Sequence, residues 1–300
     1  MESDYGSQIN ERFNEICLVW GVSEPIIEKY SELILSRYSE EHRFYHTLSH
    51  IHNLLTLSNE YKDLLRDKEV VDMAILFHDI IYEPSNHDPS NSNEIQSAIV
   101  FEEFVNEIQS SFEIKEEEVD DNVVGREEGR RDLEDVRRVV VRFIKQTQFH
   151  HDLQKLDEKE IDLSRSSSHK SEDDNISTKL SENNKIQEEE EEVVDDGNQM
   201  KKNEEWYSDM LYFLDFDLSI IGSPSPHIYN SYASGIYQEY LPYLPNQAYF
   251  CSKRAEFLTR FLENEFLFHS TICQERFEIY ARQNLTREIE ALNNDIILGI

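Results

Sequence analysis

The sequence predicts an all-α protein, a single helical bundle domain around one core. Three observations carry this. Glycine and proline are scarce, at 8 and 7 of 300 residues, whereas folds with many tight corners spend both. Apolar residues recur at three-and-four spacing, and no run alternates with period two between turn signals. Hydrophobic residues make up 38% of the chain, with 16 Phe and 15 Tyr, enough to fill one core.

The expected helices follow in chain order. Ile26 to Tyr38 carries Ile27, Tyr30, Leu33, Ile34 and Tyr38 on one side. Thr47 to Leu57 carries Leu48, Ile51, Leu54 and Leu55, with Thr47 as N-cap. Asp67 to Ile81 holds Val70, Val71, Ala74, Ile75, Phe77, Ile80 and Ile81, and Asn93 to Ile108 holds Ile95, Ala98, Ile99, Phe101, Phe104 and Val105. Val136 to Thr147, Trp206 to Phe216, Ile228 to Tyr240, Gln247 to Phe268 and Gln274 to Leu292 complete a set of about nine. No repeat at a fixed period is visible.

The formal charge is −33. Such a surface repels phosphate backbones and anionic membranes, so nucleic-acid polymers and membranes are not expected partners. Two stretches concentrate the acid. Residues 112–135 hold 11 acidic and 4 basic residues and read as a low-complexity helix extension or loop. Residues 157–205 hold 17 acidic and 7 basic residues, no aromatic, and an unbroken glutamate run from Glu188 to Glu192. That stretch buries too little apolar area to offset ordering, so it is expected to be a disordered acidic insertion within one domain spanning 1–300. Three widely spaced cysteines, Cys17, Cys251 and Cys273, make neither a disulfide framework nor a thiolate metal site. The first residues, MESDYGSQINERF, lack a basic and apolar leader, and no run of 18 apolar residues occurs; the expectation is a cytoplasmic protein.

The chemistry-bearing residues are clustered. His42, His46, His50 and His52 crowd one segment, and His78-Asp79 closes an apolar helix in AILFHDIIYEP. His150-His151 ends another helix, and Asp215 and Asp217 sit in the apolar FLDFDLSIIG. An isolated His-Asp pair at a helix end reads as a solvated cap. Carboxylates inside an apolar helix need partners, and a divalent cation is a strong one.

The order His50, His78-Asp79, Asp217 resembles the HD superfamily of metal-dependent phosphohydrolases. The segments YHTLSHI, FHDIIYEP, NEIQSA, FLDFDLSIIG, IYQEY, KRAEFL and ARQNL are similar to its predicted HD phosphohydrolase family, over nearly the whole chain outside the acidic insertion. The resemblance implies an HD-domain-like bundle and one divalent ion (Mn, Mg, Co, Fe or Zn) held by His50, His78, Asp79 and Asp217. It places Asp215 as a carboxylate orienting a ligand and Glu94 as a water- or substrate-facing acid. Cyclic-nucleotide phosphodiesterases, more distant relatives, carry a similar Tyr-His one turn before a metal His, which makes His46 the candidate general acid. Ile81 stands where those enzymes carry a further Asp, so a one-metal site is expected. His150, Lys253 and Arg254 are candidate substrate-binding residues. Ser92 and Tyr237 depart from the family pattern, and His42 and His52 read as surface histidines.

The expected function is hydrolysis of a small phosphorylated molecule, plausibly a nucleotide, by a metal-dependent enzyme. Two alternatives stand beside it: a non-catalytic metal- or nucleotide-binding HD module, and an interaction protein working through its acidic insertion.

Overall fold

The computed structural model describes residues 2–86, 88–117, 131–149 and 196–300. Among these the chain is all-helical, with ten α-helices and no strand. They are α1 (Glu2–Val19), α2 (Glu24–Arg37), α3 (Leu48–Glu60), α4 (Lys68–Phe77), α5 (Asn93–Glu117), α6 (Leu133–Gln146), α7 (Asp196–Leu218), α8 (Pro226–Tyr240), α9 (Gln247–Leu262) and α10 (Thr271–Leu292). No helix among the described residues is long and apolar enough to cross a membrane.

The bundle is organised around α4. Every residue from Val70 to Phe77 is buried, because the helix packs against α1, α3, α5, α6 and α7 at once. Its sequence, KEVVDMAILF, is apolar on all sides, the pattern of a helix with no solvent face. Asp67 caps its start by accepting from the amides of Glu69 and Val70. Phe77 closes it inside an aromatic cluster with Phe13, Tyr30, Phe101 and Phe104. His78 is therefore delivered at the end of the most buried element in the fold.

Several elements depart from the sequence expectation. Helix α1 was not expected; Ile9, Phe13, Ile16 and Cys17 form its buried stripe, diluted by polar neighbours. Helix α4 ends before His78 and does not run on to Ile81. Helix α9 stops at Leu262, eight residues before the Ser270 cap of α10, where a helix to Phe268 was expected. Residues 112–117 of the first acidic stretch extend α5, as one of its two readings held. Helix α7 begins at Asp196, so the closing part of the 157–205 stretch is helical; residues 157–195 lie outside the described residues.

A short 3-10 turn, Ser219–Gly222, carries the chain from α7 back against α10. Gly222 is required there, since a Cβ would lie 2.5 Å from Cβ of Phe277. Beneath the helix ends, Asp72 of α4 is fully buried and accepts from Arg12 Nε at 2.6 Å, Lys68 Nζ at 2.6 Å and Ser58 Oγ at 2.5 Å. One carboxylate thus fastens α1, α3 and α4 together. Asp72→Ala removes an acceptor from Lys68, Ser58 and Arg12, of which Arg12 retains Glu15 at 3.2 Å. The expected loss is at the lower end of the roughly 3–5 kcal/mol typical of a broken buried pair, because both cations keep some solvent. Urea unfolding of the variant measures it; a loss within error of zero would show the three helices are held by packing alone.

Candidate functional site

Three helix ends and a loop meet at one place. Helix α3 starts at Leu48 and puts His50 in its first turn, α4 ends just before His78, and α7 ends just after Asp217. The loop before α3 contributes His46. Thr47 occupies the expected N-cap position, but its hydroxyl meets Ser49 Oγ at 3.0 Å and makes no capping bond.

His50 Nε2 lies 3.4 Å from His78 Nε2. Asp217 Oδ1 lies 3.2 Å from the first and 3.6 Å from the second. These three ligand atoms fall within 4.8 Å of one another. The two imidazole side chains are 2% and 0% exposed, whereas Asp217 and Asp79 are 17% and 16% exposed. The nitrogens are therefore sealed, and the cluster opens to solvent on its carboxylate side. His78 Nδ1 is 2.9 Å from the Ile75 carbonyl oxygen. A neutral ring donates from Nδ1 there and turns a lone pair at Nε2 toward the cluster. Two imidazole lone pairs and a carboxylate converging in a buried space are a donor set suited to a divalent transition ion. Asp79 adjoins the trio through its Oδ2, 3.0 Å from His78 Nε2.

Charge sharpens this arrangement. Burial pulls the His50 ring below its ordinary pKa, only partly opposed by Asp217. At His78 burial acts in the same sense, but Asp79 and Asp217 outweigh it and hold the ring well above the ordinary range, so its Nε2 lone pair becomes available only when a bound cation displaces that proton. Burial also disfavours the charged Asp79, yet His78 and His46 keep its carboxyl below the usual carboxylate range.

Two loops frame the cluster, and one guanidinium staples them. Arg43 is buried and donates to the carbonyls of Asp79 at 2.7 Å, Ile80 at 3.2 Å and His46 at 3.3 Å. Its plane lies against the rings of Tyr38 and Tyr82. Tyr38 donates to the Leu76 carbonyl and accepts from the Asp79 amide. Glu239 of α8, 1% exposed, completes the frame. Its Oε1 accepts from the amides of Phe44, Tyr45 and His46 at 2.8, 2.7 and 3.0 Å. Its Oε2 accepts from Tyr82 Oη at 2.9 Å and pairs with His46 Nδ1 at 2.8 Å. Burial opposes the Glu239 charge, but His46 and these donors hold its carboxyl down at about 2. Neither Glu239, Arg43 nor Tyr82 was singled out from the sequence. The available signal was a glutamate in the apolar helix of α8 and an arginine in an aromatic-flanked loop.

The other expected site residues divide. His46 stands beside the cluster, with its ring 5.8 Å from that of His50 and Nε2 3.8 Å from Asp79 Oδ2. It lies in the loop before α3, not a helical turn ahead of His50 on the same helix. Asp215 does not orient a ligand. Both its oxygens are spent on the start of α10, accepting from the His269 amide at 2.7 Å, the Ser270 amide at 2.8 Å and the Ser270 hydroxyl at 2.6 Å. Arg254 is not available as a simple anion site. A largely buried guanidinium, its side chain 10% exposed, needs a counter-charge, and Glu288 of α10 supplies it at 2.5 Å. Its other face covers Tyr232, whose ring stands edge-on to Tyr45, which in turn borders His50. Lys253 faces outward, 60% exposed, and pairs with Glu256 at 3.3 Å. Glu94 is half-buried in the first turn of α5, where its charge reaches Tyr240. His150 lies outside the described residues.

The remaining positions are structural. Tyr237 is a core residue, edge-on to Phe250. Ser92 accepts from the Ile95 amide at the start of α5. His42 and His52 are half-buried and engaged, with the Tyr82 carbonyl and with Gln8.

No protein-family model matches this sequence, and no curated protein matches it.

The Asp215 latch carries a pH signature. Burial pushes its carboxyl up from 3.8 to about 6, against the pull of its donors. The folded chain then holds that proton more tightly than the unfolded chain, so this residue's contribution to stability falls as pH rises from about 4 to about 6. The difference in unfolding free energy between wild type and Asp215→Asn should change across that window and be flat above it. A difference that is constant from pH 4 to 7 would contradict the buried latch.

Proposed function

We propose that this chain is an HD-type, metal-dependent phosphohydrolase acting on a small phosphorylated molecule, with a nucleotide as the favoured class. The observation that carries this reading is the buried convergence of His50 Nε2, His78 Nε2 and Asp217 Oδ1 beside Asp79, next to a histidine that is not part of the trio. His50, His78, Asp79 and Asp217 would hold one divalent ion. When bound, such an ion supplies neutralisation of phosphoryl oxygens and lowers the pKa of a water.

The chain's own residues supply the rest. His46 presents Nε2 toward the Asp79 side of the cluster, the side open to solvent. Burial opposes its charge, but Glu239 and then Asp79 outweigh that and raise its pKa above the ordinary histidine value. The ring thus retains a proton for the leaving oxygen. In hydrolysis the water oxygen forms the new bond to phosphorus as the ester bond breaks. The bonding pair stays on the leaving oxygen, which takes the proton from His46 Nε2, and a proton from the attacking water restores the ring through solvent. Tyr45 walls the site, its ring 4.8 Å from both His46 and His50.

A second reading, a metal-binding module without turnover, is favoured by one observation: the Arg254 guanidinium is already committed to Glu288. A screen of phosphomonoesters, phosphodiesters and nucleotides with Mn²⁺, Mg²⁺, Co²⁺ and Fe²⁺ added separately decides between them. Turnover that needs the ion and falls by about 10³-fold or more in Asp79→Ala is the expected result. His46→Asn should bind the ion normally and lose roughly 10²–10⁴-fold on alkyl esters but far less on a nitrophenyl ester, whose leaving group needs no proton. Full metal binding without turnover on any ester would establish the second reading.

A further inference from the structure

The two oxygens of Glu239 do different work. Oε1 gathers three consecutive amides, from Phe44 to His46, an arrangement that shapes the loop. Oε2 is turned away from that task and faces His46 Nδ1 and the Tyr82 hydroxyl. The geometry points to Glu239 as the positioning residue of His46: it takes Nδ1–H as a donor and thereby makes Nε2 the ring atom presented to the Asp79 side of the site. The catalytic consequence rests on the phosphohydrolase reading above; the placement of the ring does not.

The contacts around His46 exclude other ways of setting the ring. The ring stacks 4.1 Å from Tyr82 and meets Tyr45 edge-on at 4.8 Å, and neither contact distinguishes Nδ1 from Nε2. Asp79 is 3.8 Å from Nε2, beyond hydrogen-bond reach, so it cannot fix the ring directly. Among the described residues, Glu239 Oε2 at 2.8 Å is the one close hydrogen-bond partner of the ring. The carboxylate is buried and held as an anion, so it accepts and never donates. A buried acceptor at Nδ1 is the same device that orients catalytic and metal-bound imidazoles in general. Tyr82 shares Oε2, and its backbone lies in the loop that Arg43 ties to the His46 carbonyl. The position of α8 is thereby transmitted to the ring.

Glu239→Gln separates the two tasks. The amide oxygen can still receive the three loop amides, but the other end becomes an NH₂ group facing Nδ1. A donor there forces Nδ1 to accept, so the ring is left neutral with its one proton at Nε2 and becomes a much weaker acid. Long-range ¹⁵N NMR of the histidine rings in the full chain reads this without any substrate or metal. In wild type the His46 Nδ1 should carry the proton; in Glu239→Gln it should show the shift of an unprotonated ring nitrogen. An identical His46 pattern in both would overturn the proposal.

The rate experiment is separate. On an alkyl phosphate ester Glu239→Gln should lower kcat by roughly 10²–10³-fold, within the range for an acid–base group, with little change in KM. In a His46→Asn background the same change should cost less than about 3-fold, because the residue acts through His46. Equal losses in both backgrounds would overturn the positioning role. Wild type inactive on every ester would defeat the hydrolase reading and leave the NMR result to decide the placement. Should Glu239→Gln not fold, Tyr82→Phe replaces it. Oε2 then keeps only His46 as donor, the Nδ1 proton should move downfield, and an unmoved proton would overturn the proposal.

Discussion

Two buried imidazole nitrogens held 3.4 Å apart, both facing one carboxylate oxygen, set the terms for the rest of the structure. Such groups are costly to bury unless something cationic or protonated lies among them. The protein meets that cost with rigidity: α4 is buried on every side, and His78 is fixed at its end by the Ile75 carbonyl. The nitrogens cannot relax apart without moving the central helix. The carboxylates of Asp217 and Asp79, by contrast, lie on the more exposed side.

Around this centre buried charges recur, each with a different structural duty. Asp72 joins three helices under the site. Asp215, two residues before Asp217, ties α7 to the start of α10. Arg254 and Glu288 tie α9 to α10. Glu239 and Arg43 are set closest to the chemistry, one gripping the amides and ring of the His46 loop, the other its carbonyl and those of the Asp79 loop. Each is satisfied by several hydrogen bonds, the condition under which buried polar groups specify one arrangement.

Local signals were readable in the sequence, and distant pairings were not. The helical class followed from spacing and from the scarcity of glycine and proline. Chelating and charged residues interrupting otherwise apolar helices marked the neighbourhood, and the family resemblance picked out His50, His78, Asp79 and Asp217; the structure gathers His50, His78 and Asp217, with Asp79 beside them. Asp215 looked the same as Asp217 as an interruption of an apolar helix. The resemblance separated them as ligand and orienting carboxylate, but the duty Asp215 has here depends on residues 269–270, 54 and 55 positions away. Glu239 lies 193 positions from His46, and no periodicity within α8 announces that partner. Arg254 carried a visible positive charge, but its neutralisation by Glu288 depends on the packing of α9 on α10. Helix α1 went unread because polar residues diluted its buried stripe.

The account rests on the trio as a place for one divalent ion, and metal stoichiometry tests that directly. Purified protein would be stripped with chelator, dialysed to equilibrium against Mn²⁺ and assayed by elemental mass spectrometry, beside His50→Ala and Asp217→Ala. The account predicts about one ion per wild-type chain and little above background in either variant. Wild type that binds no ion, or variants that bind as much as wild type, would contradict it.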